Sequence, residues 1–252
     1  MSILMGRHIH RVTYDSKGYI QPAAMLKQGI HISEFLRSLP LFAALDDGAL
    51  TRLAEGMTAI DARKGTVLLR RGDPCLGFHV IVFGQVKVSL QTSKGNEKVV
   101  DLLGRGQSFG ESTMFLGRPC RLTAEALADS KVLHLPRATV ADEIGRNALF
   151  ARSIILNLSE RLNHLIGHIE GYTLRSGTQR VIGFLLSQLP ERVPAAAPTI
   201  TLPAQKGVIA SQLNLTQEHF SRILHDLTAH GMIEVRGRAV HLLDMAELRS
   251  HA

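Results

Sequence analysis

The stretch Leu213–Gly237, LNLTQEHFSRILHDLTAHGMIEVRG, carries two patterns within one short segment. Its apolar residues recur at intervals of three or four, at Phe220, Ile223, Leu224 and Leu227. Its polar residues fall between them, at Gln217, Glu218, Ser221, Arg222 and His225. This spacing predicts an α-helix that buries one face and keeps the opposite face polar. The polar face needs a partner, and the residues around the helix indicate which kind.

The flanking residues predict a helix-turn-helix. A short helix is expected over 205–213, followed by a turn at Asn214-Leu215. Thr216 is expected to cap the next helix, because a threonine hydroxyl accepts a hydrogen bond from an otherwise unpaired N–H in the first turn. Ala210 is small where the two helices would cross. In such a motif the second helix presents its free face to the major groove of DNA.

The polar face has the residue types that read bases. Arg222 can form a bidentate fork to guanine, Glu218 can accept from cytosine N4, and Ser221 is short enough to let the helix sit deep. Two short strands are predicted around Arg236-Gly237-Arg238, as a wing beside the phosphate backbone. The expected DNA-binding residues are Thr216, Gln217, Glu218, Ser221, Arg222, Arg236 and Arg238. The alternative is the solvated outer face of an ordinary helical hairpin.

The sequence periodicity divides the remainder of the chain into helical and strand-rich segments, which predicts an α+β fold. Residues 1–31 show no clear period and predict an extension, with a short strand near His8–Thr13. Residues 32–146 predict a separate sensor domain. Within it, segment 32–57 is helical and broken by Pro40, and short strands punctuated by glycines follow, which is typical of an antiparallel barrel or sandwich.

Residues 147–175 predict one long helix, and residues 176–252 predict the DNA-binding domain after a hinge at 175–177. A helix of about 27 residues is about 40 Å long, which exceeds what a small barrel can cover. Its apolar stripe therefore favours pairing with the same helix of a second subunit. The expected dimer interface is Phe150, Ile154, Leu158, Leu162, Leu165 and Ile169. Packing on the chain's own barrel alone is the alternative.

Bulk properties narrow the function classes. The formal net charge is +7, but the excess is spread along the chain, so a nucleic-acid surface depends on the placement of a few arginines. Two cysteines fit a reducing cytoplasm, where this chain is expected. No apolar run approaches the ~20 residues of a membrane span. The sequence has no H-E-x-x-H, phosphate-binding loop or dinucleotide fingerprint, so an enzyme is not expected.

Over about residues 35–245 the chain resembles the catabolite activator/fumarate-nitrate reduction regulator (CRP/FNR) superfamily. The resemblance implies a β-roll, cyclic-nucleotide-binding-like sensor domain, a dimerisation helix and a C-terminal winged helix-turn-helix. It implies a homodimeric transcription regulator that is controlled by an effector and activates through contact with RNA polymerase. Glu218, Ser221 and Arg222 match the E-x-x-S-R pattern of the fumarate-nitrate type, which implies TTGAT-like half-sites. QEHFSRIL also resembles the nitric-oxide-responsive denitrification branch.

The segment GQSFGESTMFLGRPCRLTAEA, residues 106–126, resembles the phosphate-binding cassette of cyclic-nucleotide domains. Gly110 and Glu111 match, but Leu122 follows Arg121 where a hydroxyl belongs, and a one-residue shift on a strand turns a side chain to the other face. Leu165 and Ile166 stand where relatives offer hydroxyls to the base. The expected effector is therefore not cAMP. The effector-binding candidates are Gly110, Glu111, Arg118, Arg121, Thr123 and Leu165. The alternative is that Glu111 caps a short helix and Arg121 forms a surface ion pair.

The effector itself stays open at this level. Two cysteines exclude an iron–sulfur cubane held by four thiolates. Haem is possible, with His164 and His168 one turn apart as ligand candidates, and His79 and His134 in strand patterns. A cyclic dinucleotide held by Arg118 and Arg121 is a further option. The alternative function is a cyclic-nucleotide or cyclic-dinucleotide receptor whose C-terminal domain binds a protein partner.

Overall fold

The computed structural model describes residues 31–91, 97–190 and 198–251, so the strand expected near His8–Thr13 lies outside the described residues. The helices are α1 Ile32–Arg37, α2 Asp47–Gly56, α3 Glu111–Leu116, α4 Arg137–Arg146, α5 Ala148–Leu174, α6 Gly177–Ser187, α7 Lys206–Gln212, α8 Gln217–Ala229 and α9 Met245–Ser250. The strands are β1 Thr58–Ala62, β2 Val67–Leu69, β3 Gly77–Phe83, β4 Val86–Gln91, β5 Glu97–Leu103, β6 Ser108–Phe109, β7 Thr123–Ala126, β8 Ser130–Pro136, β9 Thr199–Thr201, β10 Ile233–Arg236 and β11 Ala239–Leu242.

The N-terminal strands form a roll of two four-stranded antiparallel sheets. Their orders are β1-β8-β3-β6 and β2-β7-β4-β5. Every residue of β3 is buried, because one apolar cluster fills the space between the sheets and a second lies between β3 and the helices. A strand covered on both faces reads as a continuous apolar run, as FHVIVFG does. The α+β fold class and the β-roll that the sequence predicts are confirmed.

The helices around the roll follow from local signals. Pro40 separates α1 from α2, and the Asp46 carboxylate caps α2 by accepting from Ala49 N at 2.7 Å. Arg52 joins α2 to α4 by donating Nε and Nη2 to the two carboxylate oxygens of Glu143, at 2.9 and 2.8 Å. The Arg52 guanidinium holds the pKa of the Glu143 carboxyl below its usual value. The bidentate pair fixes both helices against the same core.

Helix α5 is the 27-residue helix that the sequence predicts. The Asn147 side chain caps it by accepting from Leu149 N and Phe150 N. Its first turns pack into the roll, where the ring of Phe150 stacks on Phe42 with centroids 6.0 Å apart. Beyond Leu158 its exposed residues outnumber its buried ones. In the part of the chain that the structure describes, this and every other helix is too short or too polar to cross a bilayer.

The C-terminal domain has its own apolar core. Helix α6 starts in a capping box, in which the Ser176 hydroxyl accepts from Gln179 N and the Gln179 side chain accepts from Ser176 N. Three antiparallel strands in the order β10-β11-β9 lie beside α7 and α8. The buried faces of these elements meet in one cluster that includes Phe220 and Leu224. A cap and a hydrophobic core on the C-terminal side of the hinge make this domain a separate packing unit.

The C-terminal domain contacts the roll through α7 and β5. Strand β5 is an edge of its sheet, and Val99 N donates to Ser211 Oγ at 3.0 Å instead of to another strand. The Lys98 ammonium contacts the carbonyl of Ser211 and lies 4.9 Å from the centroid of the Tyr172 ring. The Tyr172 hydroxyl donates to the carbonyl of Gln212 at 2.5 Å. Helix α5, β5 and the first helix of the helix-turn-helix are therefore joined at one point.

Candidate nucleic-acid interface and effector site

Helix α8 has the two faces that its sequence predicts. Its apolar residues Phe220, Ile223, Leu224 and Leu227 are all buried. The Thr216 hydroxyl caps the helix by accepting from His219 N at 3.2 Å. Asn214, in the turn, has φ of 58°, a left-handed conformation that asparagine tolerates better than most residues. The turn and the cap together fix the direction in which α8 leaves α7.

The opposite face of α8 is open to solvent. Gln217, Glu218 and Arg222 are exposed and Ser221 is half-buried. The Gln217 side chain lies over Gly207 of α7, where a Cβ would come within 2.6 Å of its Oε1. The crossing of the two helices places the buried Ala210 between them, the residue that the sequence singled out, and the flexible Gln217 side chain covers Gly207. The face carries a carboxylate, an amide and a guanidinium within two helical turns.

The two wing arginines are held differently. Gly237 turns the β10–β11 hairpin with φ of 61°. Arg236 precedes it with its side chain 71% exposed, and its Nε donates to Glu234 at 2.9 Å. Arg238 donates to the carbonyls of Leu202 and Pro203 at 2.6 and 2.8 Å. Arg238 thus anchors the segment after β9, and Arg236 is the wing arginine with the freer guanidinium.

The cassette segment encloses a small cavity of about 60 Å³ beside α3. Gly110 has φ of 103°, and a Cβ there would come within 3.3 Å of the carbonyl oxygen of Gly77. Glu111 is 3% exposed, and its Oε1 finds no hydrogen-bond partner among the described residues. Burial raises the pKa of this carboxyl. A buried carboxyl with an unused oxygen therefore forms part of the cavity wall.

Only part of the predicted effector set lines this cavity. Gly110 and Glu111 do, whereas Arg118 and Arg121 are exposed. Thr123 is buried, and its hydroxyl accepts from Arg71 N at 3.3 Å. Leu165 is half-buried on α5, outside the residues that line the cavity. Leu122, between Arg121 and Thr123, lines the cavity. This position of the cavity wall is therefore apolar.

Arg161 is a charged residue of the cassette cavity that the sequence reasoning missed. It lies on α5 and, like Glu111, lines the cassette cavity. Burial raises the pKa of the Glu111 carboxyl, and the positive charge of Arg161 opposes part of this rise. Its Nη2 lies 3.4 Å from Asp101 Oδ2, and its Nη1 donates to the carbonyl of Ser108 at 3.5 Å. The signal was present, because Arg161 falls three residues after Leu158 on the apolar stripe. A charge on an apolar stripe requires a partner under it.

The structure corrects two residues of the expected dimer interface. Phe150 and Ile154 are 0% and 5% exposed within the protomer, because they pack in the core between α5 and the roll. Leu158 and Leu165 are half-buried. Leu162 and Ile169 stay 59% and 62% exposed. The exposed positions repeat at intervals of four and three residues: Ile155, Ser159, Leu162, Ile166, Ile169 and Thr173. We call these six residues the α5 seam, since the spacing is that of a coiled coil.

The histidine candidates form two pairs. The rings of His164 and His168 lie 4.3 Å apart between centroids, next to Asp101. His79 and His134 face each other across β3 and β8 at 4.7 Å, and His79 also stacks on Phe109. Burial lowers the pKa of His79 to about 3. Within residues 31–91, 97–190 and 198–251, no three metal-ligating side chains cluster. Haem ligation by His164 or His168 stays a prediction.

Comparison with known proteins matches both halves of this architecture. The cyclic nucleotide-binding domain family matches residues 60–147, and the Crp-like helix-turn-helix domain family matches residues 179–251. The chain is 21% identical over 224 residues to the CRP-like cAMP-activated global transcriptional regulator of Mycobacterium tuberculosis, which covers 88% of this chain and all of that protein.

Two further relatives are similar over most of the chain. The anaerobic regulatory protein of Pasteurella multocida is 26% identical over 190 residues, covering 74% of this chain and 68% of that protein. The structure of FixK2 from Bradyrhizobium japonicum superposes with a TM-score of 0.69 at 25% identity, covering 77% of this chain and 96% of that one. Regulators of this kind bind DNA through the helix-turn-helix and dimerise. With its β-roll, long helix and winged helix-turn-helix in this order, the chain belongs to the CRP/FNR family of transcription regulators.

Proposed function

We propose that this regulator is a homodimeric activator that reads a palindrome of TTGAT-like half-sites through α8. The observation that carries the proposal is the exposed face of α8, on which Glu218, Ser221 and Arg222 stand one turn apart behind the Thr216 cap. Arg222 binds guanine O6 and N7 in a bidentate contact, and Glu218 accepts from a cytosine amino group. Arg236 and the backbone at the wing contact phosphate and fix the orientation of the helix.

The α5 seam supplies the second reading helix. Its six exposed positions pair with the same positions of a second chain and bury Leu162, Ile166 and Ile169, which water contacts in the single protomer. A two-fold axis then relates the two copies of α8, which read half-sites about 34 Å apart along the duplex. The dimer presents one surface to RNA polymerase, through which it activates transcription inside the bacterial cell.

The effector acts in the roll and is not cAMP. A pocket for a drug-sized molecule commonly measures about 300–1,000 Å³, whereas the cassette cavity measures about 60 Å³ and is lined by Leu122 where a nucleotide phosphate needs a hydroxyl. Glu111 and Arg161 face this cavity from α3 and α5. A ligand in this cavity changes the environment of Arg161 and so shifts α5. Because α5 leads into the hinge at residues 175–177, this shift changes the equilibrium between two placements of the DNA-binding domains.

Fluorescence anisotropy with labelled duplexes tests the DNA reading. The purified protein should bind a duplex with two TTGAT-like half-sites at least about tenfold more tightly than one with TGTGA-like half-sites. Insertion of five base pairs between the half-sites turns one of them to the opposite side of the duplex, and should abolish this preference. Affinity should fall steeply with added salt, because cationic side chains displace counterions from phosphates. Equal binding to both palindromes, or indifference to the insertion, contradicts the proposal.

Calorimetric titration with cAMP tests the effector assignment. The proposal expects no saturable heat at up to millimolar cAMP and no change in DNA affinity. An absorbance spectrum of freshly purified protein tests the remaining haem possibility, since bound haem gives a Soret band. Saturable cAMP binding that tightens the complex with DNA would show that the cassette opens around a nucleotide and would overturn the exclusion.

A further inference from the structure

A second cavity, separate from the cassette, lies between the two domains. It is a cleft of about 650 Å³ bounded by β5, the second half of α5, α6 and the end of α7. It shares no lining residue with the cassette cavity. Its walls are mixed: the polar side chains of Arg175, Arg180 and Gln212 line it together with Leu102 and Phe184. A cleft of this size holds a small organic molecule.

The charge in and beside the cleft is positive and incompletely compensated. Arg175 and Arg180 line it, and Lys98 lies beside it: burial lowers the pKa of Lys98, and the charge of Arg180 lowers it further. The carboxylate that lines the cleft is Asp101, and it already contacts Arg161 at 3.4 Å and accepts from Leu102 N at 2.9 Å. An anion in the cleft would neutralise cations that now face one another.

Two polar atoms beside the cleft are left unsatisfied. Arg180 Nε and Gln212 Oε1 are both buried and find no hydrogen-bond partner among the described residues. The other end of the guanidinium is engaged, since Arg180 Nη1 donates to the carbonyl of Tyr172 at 3.4 Å. Because both unpaired atoms are closed to solvent, a ligand in the cleft reaches them only when the two side chains turn towards it; the guanidinium then offers a charged fork to a carboxylate or phosphate. Gln212 requires a donor, such as a hydroxyl or an amine.

Glycines keep the floor of the cleft open. Gly167 and Gly171 lie one turn apart in the second half of α5, and glycine stabilises a helix less than alanine does. A Cβ on either would meet no atom of the described chain within 4 Å, so internal packing does not require glycine there. Side chains at these positions would instead project towards the space that the cleft provides.

From these observations we infer that the inter-domain cleft binds a small organic anion, a carboxylate or phosphate ester that also carries a hydroxyl or amine. Arg180 and Arg175 hold the anionic group, and Gln212 accepts from the donor. Arg180 is on the DNA-binding domain, Gln212 ends α7, and the floor belongs to α5. The bound anion therefore contacts both domains at the hinge.

Calorimetric titration of the full chain with sodium phosphate and, separately, sodium malonate tests the site, with chloride holding the ionic strength constant. Saturable binding of one of the two probes is expected. Tighter binding of phosphate identifies a phosphate ester as the natural class, and tighter binding of malonate identifies a carboxylate. Arg180→Gln should weaken the bound probe at least about tenfold, because the charged fork is lost. The exposed Arg175→Gln should weaken it less, and Arg146→Gln, exposed at the end of α4 and outside the cleft, should leave it unchanged.

A second variant protects the test against misfolding of Arg180→Gln. Gly171→Leu fills the floor of the cleft while improving the helix propensity of α5, so the fold should persist and probe binding should be lost. Circular dichroism checks the fold of each variant. Failure of both anions to bind above the chloride background overturns the inference, as does a loss of binding in Arg146→Gln but not in Arg180→Gln. No DNA is present, so the result is independent of the proposed DNA reading.

Discussion

At the scale of single residues, the reading face of α8 follows from sequence, because a helix period and a threonine cap are local properties. The cassette does not follow so directly. The inward direction of Leu122 agrees with the alternation of a strand, yet Arg118 and Arg121 prove to be exposed. The inward cation is Arg161, from a helix 40 residues later, and Arg238 hydrogen-bonds backbone carbonyls. Such partners depend on tertiary packing, which single-residue patterns do not encode.

Arg222→Ala should weaken binding to the TTGAT-type duplex by about 1–3 kcal/mol, because one bidentate contact to a base is lost. Discrimination between the two palindromes should relax at the same time. Anisotropy titration measures both effects. Arg121→Ala is the matched control on the roll and should keep wild-type affinity. Equal affinities of Arg222→Ala and wild type would remove Arg222 from the reading face.

His79 should make the protein sensitive to acid. In the folded protein the pKa of His79 is about 3, below the ordinary value near 6.5. Between pH 6.5 and pH 3, His79 is therefore protonated in the unfolded chain but neutral in the folded protein. The free energy of unfolding therefore falls as pH drops through this window, by at most about 1.4 kcal/mol per pH unit from this residue. His79→Phe should flatten the dependence measured by urea unfolding between pH 6.5 and 5. The same substitution at exposed His225 should not, and an unchanged slope in His79→Phe would contradict the assignment.

At the scale of elements, the length of α5 and the helix break at Pro40 can be predicted from the sequence. The sequence does not show which apolar residues of α5 pack on the roll and which stay exposed. The apolar positions of α5 serve two partners, since Phe150 and Ile154 face the roll and the α5 seam faces outward. Periodicity reports that a face is apolar but not which surface covers it. The exposed fraction of each side chain distinguishes the residues that pack on the roll from those of the α5 seam.

Leu162→Glu and Ile154→Ala should separate these two roles. Leu162→Glu places a charge in the α5 seam and should weaken dimerisation at least about tenfold, measured by sedimentation equilibrium, with the fold retained. Ile154→Ala leaves a cavity in the protomer core and should lower the free energy of unfolding by about 2–4 kcal/mol. Asn163→Glu, exposed and off the seam, controls for added charge. A dimer that tolerates Leu162→Glu as well as it tolerates Asn163→Glu would refute the seam.

At the scale of the whole molecule, the order of roll, long helix and winged helix-turn-helix is readable from the sequence. The contact between the domains is not, because it depends on bonds from Lys98, Val99 and Tyr172 to the end of α7 that follow no sequence period. The inter-domain cleft and its arginines were likewise outside the predicted sites. These features arise only when two separately folded units meet.

Ser211→Ala should loosen the contact between β5 and α7. The Val99 amide loses its acceptor, so its hydrogen exchange should accelerate while amides within the β3–β8 ladder keep wild-type rates. Exchange measured by nuclear magnetic resonance reads both groups in one sample. Ser250→Ala, in the last helix, is the matched control. Unchanged exchange at Val99 would show that another group protects this amide.

The position of β5 at the end of its sheet gives this contact a second consequence. Movement of α7 away from the roll leaves the Val99 amide without its acceptor and uncovers the edge of β5, and an open strand edge is the kind of surface that templates pairing between chains. Release of the DNA-binding domain therefore carries an aggregation hazard, most acute when the protein is concentrated and the duplex scarce. By covering that edge, α7 shields β5 from pairing with a strand of another chain, in addition to forming the first helix of the helix-turn-helix.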